Sequence, residues 1–171
     1  MAEVTAVDVL ADGFERVRES VERVLDGLTG PQLTHRVGGS ANSIAWLVWH
    51  LTRVQDDHVA EVAGAEQVWT SEGWVERFDL SLPAGDTGYG HGREQVAAVD
   101  APADLLRDYH RAVHERTEAY LKGLTGQDLT RVVDESWDPP VTLAVRLLSV
   151  IEDDLQHVGQ AAFVRGVLPQ S

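Results

Sequence analysis

The sequence contains no cysteine, which excludes disulfides, a thiolate nucleophile belonging to the protein and Cys-ligated zinc together. Any thiol chemistry would need a thiol delivered by another molecule. Long hydrophobic runs are also missing, and no stretch approaches the ~18 consecutive apolar residues of a membrane span. The first residues, MAEVTAVDVLADGFERV, interleave charged and apolar side chains, unlike a secretory signal, so a cytoplasmic location is expected. Positive charge is scarce. Lys and Arg total 14 against 28 Asp and Glu, for a net charge of −14, and Lys122 is the lone lysine. Such a surface repels phosphate backbones and anionic lipid, so neither nucleic acid nor membrane is an expected partner. Strand-like alternation is absent over any useful length. No G-x-S-x-G elbow occurs, and the glycine-rich run Gly85–Gly92 has no preceding strand to make it a phosphate cradle.

What the sequence does have is helical periodicity. Its 171 residues, 43% hydrophobic, suit one domain over 1–171 with a sizeable core. Val7, Leu10, Phe14, Val17, Val21, Val24 and Leu28 recur at spacings of three and four, the stripe of a bundle helix, which Gly27 and Gly30-Pro31 should end. A second helix is expected from about Asn42 to Val62, with Ile44, Leu47, Leu51 and Val54 inward. A third begins near Pro102 and carries Leu105, Tyr109, Val113, Tyr120 and Leu124. A fourth follows Pro139-Pro140 and uses Leu143, Leu147, Ile151, Val158 and Val164. The expected fold is all-α, a four-helix bundle with a long crossover between the second and third helices.

An internal echo supports this plan. GLTGPQLT (27–34) closes the first helix and GLTGQDLT (123–130) closes the third. With a short gap, Ser43-Ile44-Ala45 falls on Thr142-Leu143-Ala144 and His58 on His157, so two related helix pairs build one bundle. The connection over 63–101 is far longer than the ~12–15 residues usual for an unstructured loop. Its Trp69, Trp74, Phe78, Tyr89 and His91, set among glycines, suggest a lid or wall over one end of the bundle, or a crossover anchored by its aromatics. A connection of that length also lets the third helix run parallel to the second.

The chemical signals are histidines and carboxylates near the apolar stripes. Asp153 and His157 stand four apart on the fourth helix, so their side chains stack on one face. Such a pair can share a divalent cation of the zinc or nickel type, or form a simple ion pair. His50, in the apolar SIAWLVWHL, is either a core histidine bonded to a carbonyl or a third ligand aimed across the bundle. Three protein ligands with an open position is the catalytic form of a zinc-type site. His58, beside Asp56 and Asp57, is too far along the helix to share an ion with His50 and is expected to support the site or the structure. His110 and His114, flanked by Arg107, Asp108, Arg111, Glu115 and Arg116, are expected on a solvated helix face. His91 is a candidate for the mouth of a pocket.

A histidine in a Trp-rich second helix, WLVWHL, and a fourth helix with Asp153, His157 and then Gln160 together resemble the DinB-like superfamily of four-helix bundles. Its relatives include the mycothiol-dependent maleylpyruvate isomerase and the bacillithiol transferases, and the likeness covers nearly the whole chain. NSIAWLVWHLTRVQDDHV and the DTGYGH turn are similar to an uncharacterised branch of that superfamily. The resemblance implies a divalent metal held by His50, Asp153 and His157, with Asp153 where many relatives carry His and the isomerase carries Glu. It further implies a small-molecule thiol of the mycothiol type as co-substrate, and an S-transferase or isomerase activity in which the metal-activated thiol attacks an electrophile. His58, Asp57, Gln160, Trp69, Trp74, Tyr89 and His91 would then support the metal site or wall the substrate pocket. A composition poor in lysine and rich in Ala, Val, Gly and Arg suits a high-GC genome, where mycothiol is the common thiol. The superfamily often forms homodimers, which are expected here too. The contrasting expectation is a non-catalytic stress-response bundle that binds a small molecule or a partner.

Overall fold

Each long helix starts where a side chain or an imino ring suits the free backbone N–H groups of its first turn. In a computed structural model, which describes residues 4–168, α1 (Ala6–Leu25) is opened by a reciprocal box between Thr5 and Asp8. Gly27, at φ +68°, turns the chain beyond the end of α1. Pro31 does not terminate α1. It sits in the first turn of the short α2 (Gly30–Leu33), where its missing N–H is no loss. Ser43 caps α3 (Ile44–Ala63), and Gly64 closes it in the left-handed region. The connection then folds into three short helices, α4 (Val68–Ser71), α5 (Trp74–Phe78) and α6 (Arg93–Ala97). Pro102 precedes α7 (Ala103–Lys122). A two-stranded antiparallel hairpin, β1 (Val132–Asp134) and β2 (Val141–Thr142), is too short to show alternation in the sequence and leads into α8 (Leu143–Val167).

The two GLTG segments prove to be the same device. Thr29 N–H donates to Gln32 Oε1 at 2.9 Å, and Thr125 N–H donates to Asp128 Oδ2 at 2.7 Å. Ser43 and Thr142 then cap α3 and α8 through the N–H groups of Trp46 and Val145.

Side-chain pairs fix the helix directions. Glu22 meets Arg107 and Arg111 while Glu15 meets His114, so α1 and α7 are antiparallel. His50 lies beside His157 at one end and His58 beside Arg146 at the other, so α3 and α8 are antiparallel as well. Arg53 with Tyr109 and, two to three turns on, the Val62 carbonyl with Tyr120 make α3 and α7 parallel, an arrangement that a short turn could not produce. Around the bundle the packing order is α1, α7, α3, α8. One end of the core holds Trp46, Trp49, Leu47, Val17 and Val21, capped by the connection; the hairpin end holds Phe14, Leu121, Leu143 and Leu147.

Asp56 ties the connection down. Its Oδ1 accepts from Val68 N–H and its Oδ2 from Trp69 N–H, both at 2.8 Å, which supplies acceptors to the start of α4. The same Oδ2 accepts from the Tyr109 hydroxyl at 2.9 Å, and the fully buried Arg53 guanidinium lies 3.6 Å away. Arg53 in turn donates to Gln67 Oε1 and to the carbonyl of Asp86, and stacks over Trp69.

Two sequence expectations are overturned by the packing of α7. His110 and His114 are buried, at 1% and 6% exposure, and do not lie on a solvated face. Because α7 packs against both α1 and α3, its buried arc is wide enough to take Tyr109 with His110 and Val113 with His114. His114 reaches Glu15 at 3.1 Å, whereas His110 Nε2 has no partner. Burial drives the His110 pKa down to about 3, helped by the nearby His114 and Arg18.

Two outcomes are expected. Asp56→Ala leaves two buried N–H groups and Arg53 uncompensated. It should destabilise the protein by about 3–5 kcal/mol, read as a drop in the urea midpoint. A histidine with a lowered folded pKa opposes folding once the unfolded chain takes up its proton. Below the unfolded value near 6.5, down to about 3, His110 should therefore remove about 1.4 kcal/mol of stability per pH unit. Replacing His110 with Leu should flatten that acid limb in a pH series of denaturant melts, with little loss at pH 7.

Candidate metal centre

His50 occupies the second turn of α3, within an almost entirely buried run of that helix, and is 3% exposed. Across from it, Asp153 and His157 project from successive turns of α8. One donor atom from each of the three side chains lies within 4.8 Å of the other two. His157 Nε2 stands 3.6 Å from Asp153 Oδ1, and the His50 and His157 rings meet at 4.7 Å between centroids, inclined by 72°. Among the described residues this is the one cluster of three histidine or acidic side chains that can converge on a single ion. Tetrahedral ligation with bonds of ~2.0–2.1 Å needs donor separations of roughly 3.3 Å, so the three need draw together only slightly.

Both imidazoles are held by the nitrogen that faces away from the cluster. The carbonyl of Thr87 accepts from His50 Nδ1–H at 2.5 Å, which leaves Nε2 with its lone pair. His157 Nδ1–H donates to Gln160 Oε1 at 3.3 Å, which does the same for its Nε2. Asp153 Oδ2 is buried and has no hydrogen-bond partner. A carboxylate oxygen, two free imidazole nitrogens and an orphaned second oxygen are the donor set of a borderline divalent cation.

The electrostatics divide the cluster. Burial lowers the His50 pKa, which keeps it neutral; the Thr87 carbonyl only partly opposes this. The Asp153 carboxylate, an acceptor facing His157 Nε2, raises the His157 pKa against the effect of burial. Burial pushes the Asp153 carboxyl up, yet the hydrogen bond and charge of His157 leave it below the usual carboxylate value. The neighbouring Asp154 is fully buried with both oxygens unpartnered, and burial together with the Asp153 charge pushes its pKa well up. Its carboxyl is thus biased toward the neutral form.

The turn 85–92 reaches over the cluster and is built to touch it. Gly88 has φ +99°, and a Cβ there would lie 2.6 Å from His50 Nδ1. Trp46 stacks on His50 at 4.6 Å, inclined by 19°. Its indole N–H donates to His91 Nδ1 at 3.0 Å, so His91 Nε2 carries the proton and donates to Asp86 Oδ2 at 2.8 Å. His91 is thus a buried strut of the turn, with both nitrogens committed, and does not stand at a pocket mouth. Tyr89 packs edge-on to His50 at 5.3 Å and is 61% exposed, so it flanks the open side of the cluster.

The other residues singled out in the sequence lie elsewhere. Trp69 and Trp74 do not wall a pocket: they are buried against Phe78 and Tyr109, because the connection anchors itself to α7 through them. Asp57 accepts from Gln67 Nε2 at 2.6 Å, and His58 accepts from Arg146 at 3.0 Å, two turns along α3 from His50. The Thr87 carbonyl, Asp86, Arg53 and Arg146 went unrecognised in the sequence. Only the DTGYGH turn gave a local sign of the first two.

No curated protein sequence matches the chain. A crystal structure of a conserved protein from Enterococcus faecalis superposes with a TM-score of 0.88 at 32% identity, over 95% of this chain and 96% of that one. A family model described as mycothiol S-transferase matches residues 9–170. Nearly the whole bundle, including all three side chains of the cluster, lies within that match. The chain belongs to the mycothiol S-transferase family.

Proposed function

We propose that the protein is a divalent-metal-dependent S-transferase that uses mycothiol, or a thiol of the same kind, against an electrophilic small molecule. One observation carries this reading: the free nitrogens of His50 and His157 converge with a carboxylate of Asp153 whose second oxygen is buried without a partner. The three would hold the ion, with zinc best suited to the nitrogen and oxygen donors, and a bound ion with an open position would favour the thiolate form of an incoming thiol.

The chain's own residues prepare the site for that chemistry. Thr87 and Gln160 fix which nitrogen of each histidine faces inward. Trp46 and the turn 85–92 keep His50 dry and immobile, while Asp153 lies on the partly exposed side where a substrate can approach. The absence of cysteine fits this role, because the reacting sulfur would arrive with the substrate. A reaction that consumes a reduced low-molecular-weight thiol also fits a reducing cytoplasm. Among the described residues, no helix is long and apolar enough to cross a membrane.

Purified without a chelating tag, the protein should contain about one divalent ion per chain. Zinc at about 100 times its dissociation constant should raise the stability of stripped protein by about 2.7 kcal/mol. His157→Ala should lose roughly 100-fold or more in metal affinity, and Gln160→Ala roughly tenfold. Absence of stoichiometric metal, with no rise in melting temperature on adding zinc or nickel, would sink the metal reading. Metal binding without any transfer from mycothiol to model electrophiles would instead favour a non-catalytic bundle.

A further inference from the structure

Along α8, Arg146, Ser149, Asp153 and His157 follow one another at spacings of three and four and so share a stripe. On the antiparallel α3, His50 is followed two turns later by Asp57 and His58. Between these faces, on the hairpin side of the metal cluster, lies an open groove of about 650 Å³ lined by Asp57, His58, Asp134, Trp137, Arg146 and Ser149. Its volume falls within the usual range for a small-molecule site. Seven residues of helix separate Arg146 from Asp153, a rise of ~10 Å. A ring in the groove and a side arm of a few bonds would span that distance.

The groove is a built structure. The Arg146 guanidinium donates to His58 Nδ1 at 3.0 Å, to Glu61 at 2.8 Å and to Asp134 Oδ2 at 3.2 Å, which binds the hairpin to α3. Arginine is always a donor, so His58 Nδ1 must accept, and the remaining Nε2–H is a donor without an assigned partner. Asp57 spends one oxygen on Gln67 and keeps the other. Glu61 and Asp134 already pair with the one guanidinium, and Asp57 adds a third carboxylate to the lining, so an anionic ligand is disfavoured and a ligand rich in hydroxyl donors is suited. At the rim, Trp137 on the hairpin turn leaves 67% of its surface exposed, although a large indole normally seeks cover. Its flat apolar face complements a ring that presents C–H bonds on one side and hydroxyls around its edge.

We propose that this groove is the subsite for the non-reacting, polyhydroxylated end of the thiol substrate, with Trp137 as the platform for a ring and Asp57 as an acceptor for its hydroxyls. The proposal rests on the thiol-transfer reading and adds where the thiol's carrier is recognised. The sulfur at the end of its arm would reach the cluster of His50, Asp153 and His157, and the acidic walls would turn away anionic thiols.

The test uses mycothiol with its sulfur methylated, which retains the ring system and cannot offer a thiolate. Calorimetry on the full chain should show that it binds, with affinity lowered roughly tenfold by Trp137→Ala and lowered also by Asp57→Asn. The amide of N-acetylcysteine, a neutral thiol without a ring, should perturb the absorption spectrum of the cobalt-substituted protein equally in wild type and in Trp137→Ala. Thermal melts check that both variants fold, and the exposed Trp137 is not part of the core. Unchanged affinity of both variants for the methylated thiol overturns the groove, as does equal weakening of the N-acetylcysteine amide by Trp137→Ala. Either result leaves the metal reading standing. Ring-dependent binding to a protein that takes up no metal would support the groove while the metal reading fell.

Discussion

The carboxylate of Asp56 is the point from which the functional end of the molecule is organised. A buried charge is tolerated only when its lone pairs are filled, and here two backbone N–H groups, a phenol and a guanidinium fill them. That requirement draws the start of α4, the middle of α7 and the body of α3 to one place. Arg53, recruited by the same carboxylate, extends the order to the carbonyl of Asp86 and so to the turn that covers the metal cluster. The long connection is therefore held by polar contacts at its root and by Trp69, Trp74 and Phe78 along its length.

From Asp86 the order passes into the candidate site by short steps. Asp86 accepts from His91, His91 accepts from Trp46, and Trp46 lies flat on His50. The next residue, Thr87, supplies the carbonyl that orients His50. One tautomer of His91 satisfies both of its neighbours, and one rotation of the His50 ring satisfies Thr87. Preorganisation of the kind a metal centre needs is thus distributed over a helix and a turn that are remote in sequence.

Much of the architecture was legible because it is periodic. The stripes of α1, α3, α7 and α8 follow from spacings of three and four, and the paired GLTG segments mark two similar turns that use Gln32 and Asp128 for the same bond. Asp153 and His157 were legible as a pair because an α-helix fixes the i, i+4 relation, whereas His50 needed the neighbouring helix to give it meaning. Periodicity fails where a helix has two packed sides. On α7 it favoured Tyr109 and Val113, yet His110 and His114 are also inside because α1 covers them. Composition fails for aromatics, since Trp69 in the core and Trp137 on the surface look alike in one dimension. Arg53 and Arg146 act through partners more than thirty residues away, or across the hairpin, and nothing local announces them.

Gly88 carries a consequence beyond its own turn. With no room for even a methyl group between its backbone and the His50 ring, the turn and the third helix have a fixed mutual registration. The three candidate ligands are therefore not a portable set that could be copied onto another bundle by matching α3 and α8 alone. A transplant would have to carry the 85–92 turn with them, and the turn would in turn require Arg53 and Asp56 beneath it. In lineages where the substrate changes, variation should accumulate along the groove walls while this turn and its footing are inherited as one block.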